Sequence, residues 1–153
     1  MVTTAHTPLP AFANEPYFDF SKDDVWAAAQ SAYARVRSEY GREYDLWIAG
    51  AQHRTGDLLT STDPSHSKDV VGRHHKATAE LARRAIEDAH AFFPEWSRTT
   101  PAERAGYALR AAHIIRERKL EFDAWLVAEA GKTWPEADAD VAEAIDFCEY
   151  YAR

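Results

Sequence analysis

The sequence contains one cysteine, Cys148, so no intrachain disulfide framework is available to it. Glycine is also scarce: only Gly41, Gly50, Gly56, Gly72, Gly106 and Gly131 occur, and no two stand two positions apart. A G-x-G-x-x-G turn and a P-loop are therefore both absent, and with them any recognisable cradle for a nucleotide's phosphates. No apolar run approaches the ~18 residues that a membrane span needs. Met1 to Pro10 has neither a basic start nor an apolar stretch, so no secretory signal is expected there. An excess of basic charge is missing too. Eighteen Lys and Arg face 25 Asp and Glu, a net charge of −7, which disfavours binding to a nucleic-acid backbone.

What is present is apolar mass. Hydrophobic residues make up 46% of the 153 and aromatics 12%, too much for a disordered chain. The length suits one domain. A soluble protein of the reducing cytoplasm is expected.

Residues 1–20 are Pro-rich and aperiodic and read as an extended arm. Ser21 is placed to cap a helix with Asp23 and Asp24 in its first turn. Its apolar positions are Val25, Ala28, Ala32, Val36 and Tyr40, and Gly41 marks its end. Residues 44–76 read as a small antiparallel β region with strands at 44–48, 58–62 and 69–75. The remainder is helical. Thr78 opens a helix with the stripe Leu81, Ala85, Ala89, Phe92 and Trp96, which Pro94 breaks near its end. Thr100-Pro101-Ala102-Glu103 combines a capping box with proline in the first turn. Leu120 to Ala130 continues helical to Gly131, and Thr133-Trp134-Pro135-Glu136 repeats the capping box. The last stripe is Val141, Ala144, Ile145, Cys148 and Ala152. No Gly, Asn or Pro closes that pattern before Arg153. Two readings follow: a chain that continues past this point, or a helix that frays.

Most side chains with chemical potential have plainer roles open to them. His74 and His75 are adjacent on a strand and point to opposite faces, and no H-x-x-x-H or C-x-x-C occurs, so no metal site is expected. Cys148 lies on an apolar stripe with no base beside it, which suits a small packed hydrophobe better than a nucleophile. The basic stretch Arg110 to Lys119 reads as a solvated helix face. The last helix is less ordinary. From Thr133 to Arg153 it carries six acids and one base, a balance of −5, with Glu136, Asp140 and Glu143 on one face. Like charges so spaced cost a few tenths of a kcal/mol per pair. Glu143 lies too far along to gain from the helix dipole. It is therefore either a solvated acid or a carboxylate aimed at a cation.

The stretch LVAEAGKTW (126–134) followed by EADADVAEAIDFCEYYAR (136–153) resembles the aldehyde dehydrogenase superfamily. Within it, the chain is most similar to the L-glutamate γ-semialdehyde (pyrroline-5-carboxylate) dehydrogenases. NEPYFDF (14–20), YDLWIAG (44–50), TDPSHSKDVVG (62–72), AFFPEW (91–96) and RAGYALRAAHIIRERKLEFDAWLVAEAGK (104–132) agree. Thr62-Asp63 and Cys148 are small departures from the pattern. The resemblance implies an α/β parent of which this chain is a mostly α-helical N-terminal segment, with residues 21–153 an incomplete part of the cofactor domain. It implies NAD-dependent oxidation of the semialdehyde to glutamate in proline catabolism, a small-molecule substrate, no nucleic-acid or membrane partner, and a homo-oligomeric parent. The catalytic Cys, general-base Glu and cofactor loop have no counterpart here, so no catalytic or cofactor-binding residue is assigned and the segment alone is expected to be inactive. Glu143 is the single substrate-binding candidate, which the resemblance brings near the substrate's amino end. The alternative is a non-catalytic helical interaction module that reuses this part of the fold.

Overall fold

The computed structural model describes residues 9–153. From Leu9 to Asp19 the chain is an arm without helix or strand, and the first eight residues of the expected arm lie outside the described part. The elements that follow are α1 (Asp23–Ser38), β1 (Glu43–Tyr44), β2 (Leu46–Ile48), β3 (Ala51–His53), β4 (Leu58–Thr62), β5 (Val70–His75), α2 (Ala79–Trp96), α3 (Pro101–Glu117), α4 (Lys119–Ala130) and α5 (Trp134–Tyr151).

Most helix starts follow from local chemistry. The Thr78 hydroxyl accepts the Leu81 N–H at 3.1 Å. At Thr100 and Thr133 the capping box is closed in both cases by the glutamate three residues on, Glu103 and Glu136, which accepts from the cap's own N–H. The start of α1 differs from expectation. Lys22, not Ser21, occupies the cap position, because the Asp19 carboxylate takes both the N–H and the hydroxyl of Ser21 into a tight turn one step earlier. Gly131 ends α4 at φ +67°, and a Cβ there would also stand 2.9 Å from the Pro64 ring, so conformation and space both require glycine.

Four helices form one layer. α4 lies between α1 and α5, and α5 packs on α3. The seams are built largely from alanine, which lets helix axes approach closely. Ala32, Val36, Ala124 and Ala128 join α1 to α4, and Ala112, Val141 and Ile145 join α3 to α5. Trp134 ties three segments together, with Phe20 of the arm, Trp26 and Tyr33 all within 6.3 Å of its ring. The stripe foreseen on α1 is one residue out at its start: Ala29 is fully buried and Ala28 exposed. On α5, Ala144 likewise faces outward.

The β region is mixed. β4 and β5 pair antiparallel, as do β2 and β3, whereas β1 runs parallel to β5. β3 was not foreseen, and the expected strand at 44–48 is divided between two sheets. Strands of two or three residues have no period to read. Pro94 sits inside α2 without ending it, the helix running on to Trp96.

Candidate functional site

The acids of α5 look alike in sequence and have separate fates in three dimensions. Glu136 closes the capping box. Asp138 is 1% exposed; it takes the Lys119 ammonium at 2.6 Å and the Phe18 N–H at 2.8 Å. Asp140 is paired with Lys132. Asp146 accepts the Asn14 side-chain amide and the Glu15 N–H, each at 2.7 Å. Glu149 is held between Arg116 at 3.1 Å and Arg153 at 2.7 Å. Glu143 is exposed, and among the described residues no hydrogen bond or ion pair engages it.

This alters the reading of the acidic helix. Its like charges are not left to repel one another in water, because five of the six carboxylates have partners. Arg116 also grips Glu15 at 2.7 Å, and Lys119 donates to the Pro16 carbonyl at 2.8 Å while lying over the Phe18 ring. Within the basic stretch, Arg116 and Lys119 are thus anchors for the arm, while Arg110 and Arg118 stay on the exposed face, Arg118 paired with Glu121. Lys119 is 3% exposed, which overturns the expectation of a solvated face at that end. Sequence reasoning missed it because the partners lie about a hundred residues away. The alternation of acids on α5 with bases late in α3 was the only signal.

Beside the Glu143 turn, α3, α4 and α5 enclose an open cavity of about 500 Å³. Its walls are Ile115, Phe122, Leu126, Val141 and Ala144, with the Asp140 and Glu129 carboxylates among its lining groups. Ser61 donates to Glu129 at 2.8 Å, and the Lys132 ammonium pairs with Asp140. Along the outer strip of α5, Phe147, Tyr150 and Tyr151 are 51%, 60% and 76% exposed. Glu143 itself does not line this cavity; it lies one helical turn before Phe147 on the exposed strip of α5.

Other reactive side chains have structural duties. Cys148 is partly buried against the Ala112, Val141 and Ile145 cluster. His74 stacks on Tyr44 with ring centres 5.1 Å apart, while His75 points to the other side, its Nδ1 accepting the N–H groups of Thr55 and Gly56. The glycines with positive φ (Gly41, Gly50, Gly56 and Gly131) stand singly at separate turns, so the described residues offer no fit for a dinucleotide's pyrophosphate. No step through such a cofactor is derived for them.

A sequence model of the aldehyde dehydrogenase family matches residues 47–153. The chain belongs to the aldehyde dehydrogenase family. It is 51% identical over 142 residues to a 1-pyrroline-5-carboxylate dehydrogenase of Geobacillus thermodenitrificans, a match covering 93% of this chain and 28% of that enzyme. Among solved structures, the Thermus 1-pyrroline-5-carboxylate dehydrogenase with bound NAD superposes with a TM-score of 0.92 at 43% identity, over 96% of this chain and 28% of that one. Proline utilization A from Bdellovibrio bacteriovorus gives 0.90 at 30% identity, over 98% and 16%. This aldehyde dehydrogenase chain therefore spans about 28% of the length of the 1-pyrroline-5-carboxylate dehydrogenases it matches.

Proposed function

We propose that the chain is the N-terminal segment of an NAD-dependent dehydrogenase that oxidises L-glutamate γ-semialdehyde, the open form of pyrroline-5-carboxylate, to glutamate in proline catabolism. The identity of 51% to such an enzyme across 93% of this chain is the observation that carries the reading. In the parent, NAD accepts the hydride that leaves the aldehyde carbon, and segments other than this one hold it. Residues 21–153 belong to the cofactor domain and are scaffold. Their contribution to the site is one wall of the substrate tunnel, formed by α5. The parent works in the cytoplasm as a homo-oligomer on a small molecule. No helix among the described residues is long and apolar enough to cross a membrane.

Within that reading Glu143 receives the substrate's ammonium group. Its acidic neighbours on α5 are already paired, whereas Glu143 is exposed and has no partner among the described residues, so binding a cation there displaces none of their contacts. A charge-assisted contact is worth about 1.5–3 kcal/mol. Glu143→Gln keeps the shape and removes the charge. In the full-length enzyme it is expected to lower kcat/KM for the semialdehyde by roughly ten- to a hundredfold. An aldehyde of the same length without the amino group should lose much less. Equal losses for both substrates would make Glu143 a support for the helix, and no loss for either would make it a solvated acid.

A second reading is favoured by one observation. The outer face of α2 presents Ile86, Phe92 and Phe93 at 53–71% exposure, as a non-catalytic interaction module would. The coding sequence beyond Arg153 decides between the two, since only the first requires the cofactor and cysteine segments downstream.

A further inference from the structure

The β2–β3 hairpin is joined to the three-stranded sheet by two links, Asp45 between β1 and β2 and residues 54–57 between β3 and β4. His75, the last residue of β5, meets both links and is 6% exposed. Its Nδ1 accepts the Thr55 and Gly56 N–H groups, each at 3.3 Å. A ring nitrogen that accepts carries no proton, so the neutral imidazole holds its hydrogen on Nε2. Nε2 has no hydrogen-bond partner among the described residues, and opposite it stand the Asp45 carboxylate at 3.9 Å and the Glu43 carboxylate at 4.0 Å. The two sides of the ring therefore favour opposite states. The two amides require a bare Nδ1, whereas the two carboxylates attract a positively charged ring.

The other charged groups around His75 are turned to different work. The strands packed on β5 are β1 and β4, and β4 carries no titratable side chain. On β1, Tyr44 stacks on His74 at the opposite face of β5, which leaves Glu43. Asp45 is held by Arg54 at 2.7 Å. On β5 itself Arg73 donates to the Gly41 carbonyl, and just beyond the strand Lys76 is paired with Asp57 at 3.0 Å. The Thr55 hydroxyl donates to the Lys76 carbonyl at 2.9 Å, so the 54–57 link stays tethered to the end of β5 when its amides are released.

We propose that His75 is a proton switch at the root of the β2–β3 hairpin: neutral, it clasps the 54–57 link through Nδ1, and protonated, it drops the Thr55 and Gly56 amides and pairs with Glu43 and Asp45. A proton on Nδ1 turns an acceptor into a donor that faces two other donors, so the clasp and the imidazolium exclude each other. The sign follows from linkage. With the link released, the ring is free to take a proton at histidine's ordinary value of about 6.5, and the clasped ring has no free lone pair at Nδ1 to receive it. Release is therefore favoured as pH falls through that range and is independent of pH well above it.

Hydrogen exchange of the full chain, corrected for the intrinsic rate at each pH, reads the switch at the two amides themselves. From pH 8 down to pH 5 the opening constant at Thr55 and Gly56 is expected to rise roughly ten- to thirtyfold. His75→Asn places a carbonyl oxygen where Nδ1 stands and does not titrate, so there the opening constant should stay flat. The Arg73 amide, which donates to the Arg42 carbonyl, should stay flat in both proteins. No rise in the wild type, an unchanged slope in His75→Asn, or an equal rise at Arg73 would each overturn the switch. Should His75→Asn fail to fold, ¹⁵N spectra of the wild-type imidazole in contact with the Thr55 and Gly56 amides decide. At pH 8 that ring should carry its proton on Nε2, and its contacts to the two amides should vanish as it takes the second proton. A proton on Nδ1 at pH 8, or contacts that survive the second proton, reject the proposal.

Discussion

Helices α2 and α5 are each eighteen residues long and both start at a threonine cap, yet only α5 is packed. α5 buries Ala137, Asp138, Val141, Ala142 and Ile145 between α3 and α4. α2 buries none of its residues among those described, and Ile86, Phe92, Phe93 and Trp96 are exposed. The amphipathic stripe of α2 was as plain in the sequence as that of α5. Periodicity thus reports that a face is meant to be covered, but not by what. The two helices also differ in how charge is used. α5 is the docking rail for the arm through Asp138 and Asp146, with Glu149 holding the Arg116 that grips Glu15, whereas the ion pair within α2, Arg84 with Asp88, is local.

The sharpest way to break this contrast is to cut the tie beneath the arm. Lys119→Met leaves Asp138 buried without its cation and should destabilise the fold by about 3–5 kcal/mol, measured by denaturant unfolding. A loss under about 1 kcal/mol would mean that the pair contributes no more than a surface bridge.

Matched truncations give the next largest effect. Ile145→Ala removes a fully buried side chain and should cost about 2–5 kcal/mol. Ile86→Ala, at a site 71% exposed on α2, should shift stability by no more than about 0.5 kcal/mol. Similar losses at the two sites would show that α2 is covered in the chain as it exists in solution.

The smallest effect on stability is expected from Phe92→Ser combined with Phe93→Ser. Unfolding of the chain should be almost unmoved, while its binding of a hydrophobic dye and its self-association fall markedly. Unchanged dye fluorescence would place the exposed apolar surface somewhere other than α2.

Local chemistry made much of the fold legible. The caps at Thr78, Thr100 and Thr133 and the stop at Gly131 act within four residues, so the sequence shows them directly. β3 and the parallel pairing of β1 with β5 were not legible. Two- and three-residue strands have no periodicity, and the direction of β1 is set by a partner thirty residues away. The candidate site was half legible. The acidic strip of α5 was plain and Glu143 could be named within it, but its separation from the other five acids was not. That rests on Lys119, Arg116, Lys132 and the arm's own amides arriving from elsewhere.

The sequence by itself determined where most helices begin and end, which faces are apolar, and that neither a G-x-G-x-x-G turn nor a P-loop motif occurs, because each of these depends on neighbours within a turn or two. Tertiary structure alone decided which charges are neutralised, which apolar face stays open, and where a carboxylate is buried without a donor. Those outcomes depend on groups more than a hundred positions apart in the chain, as Asn14 and Asp146 are at 132, and burial and pairing of charge exist only once such groups meet.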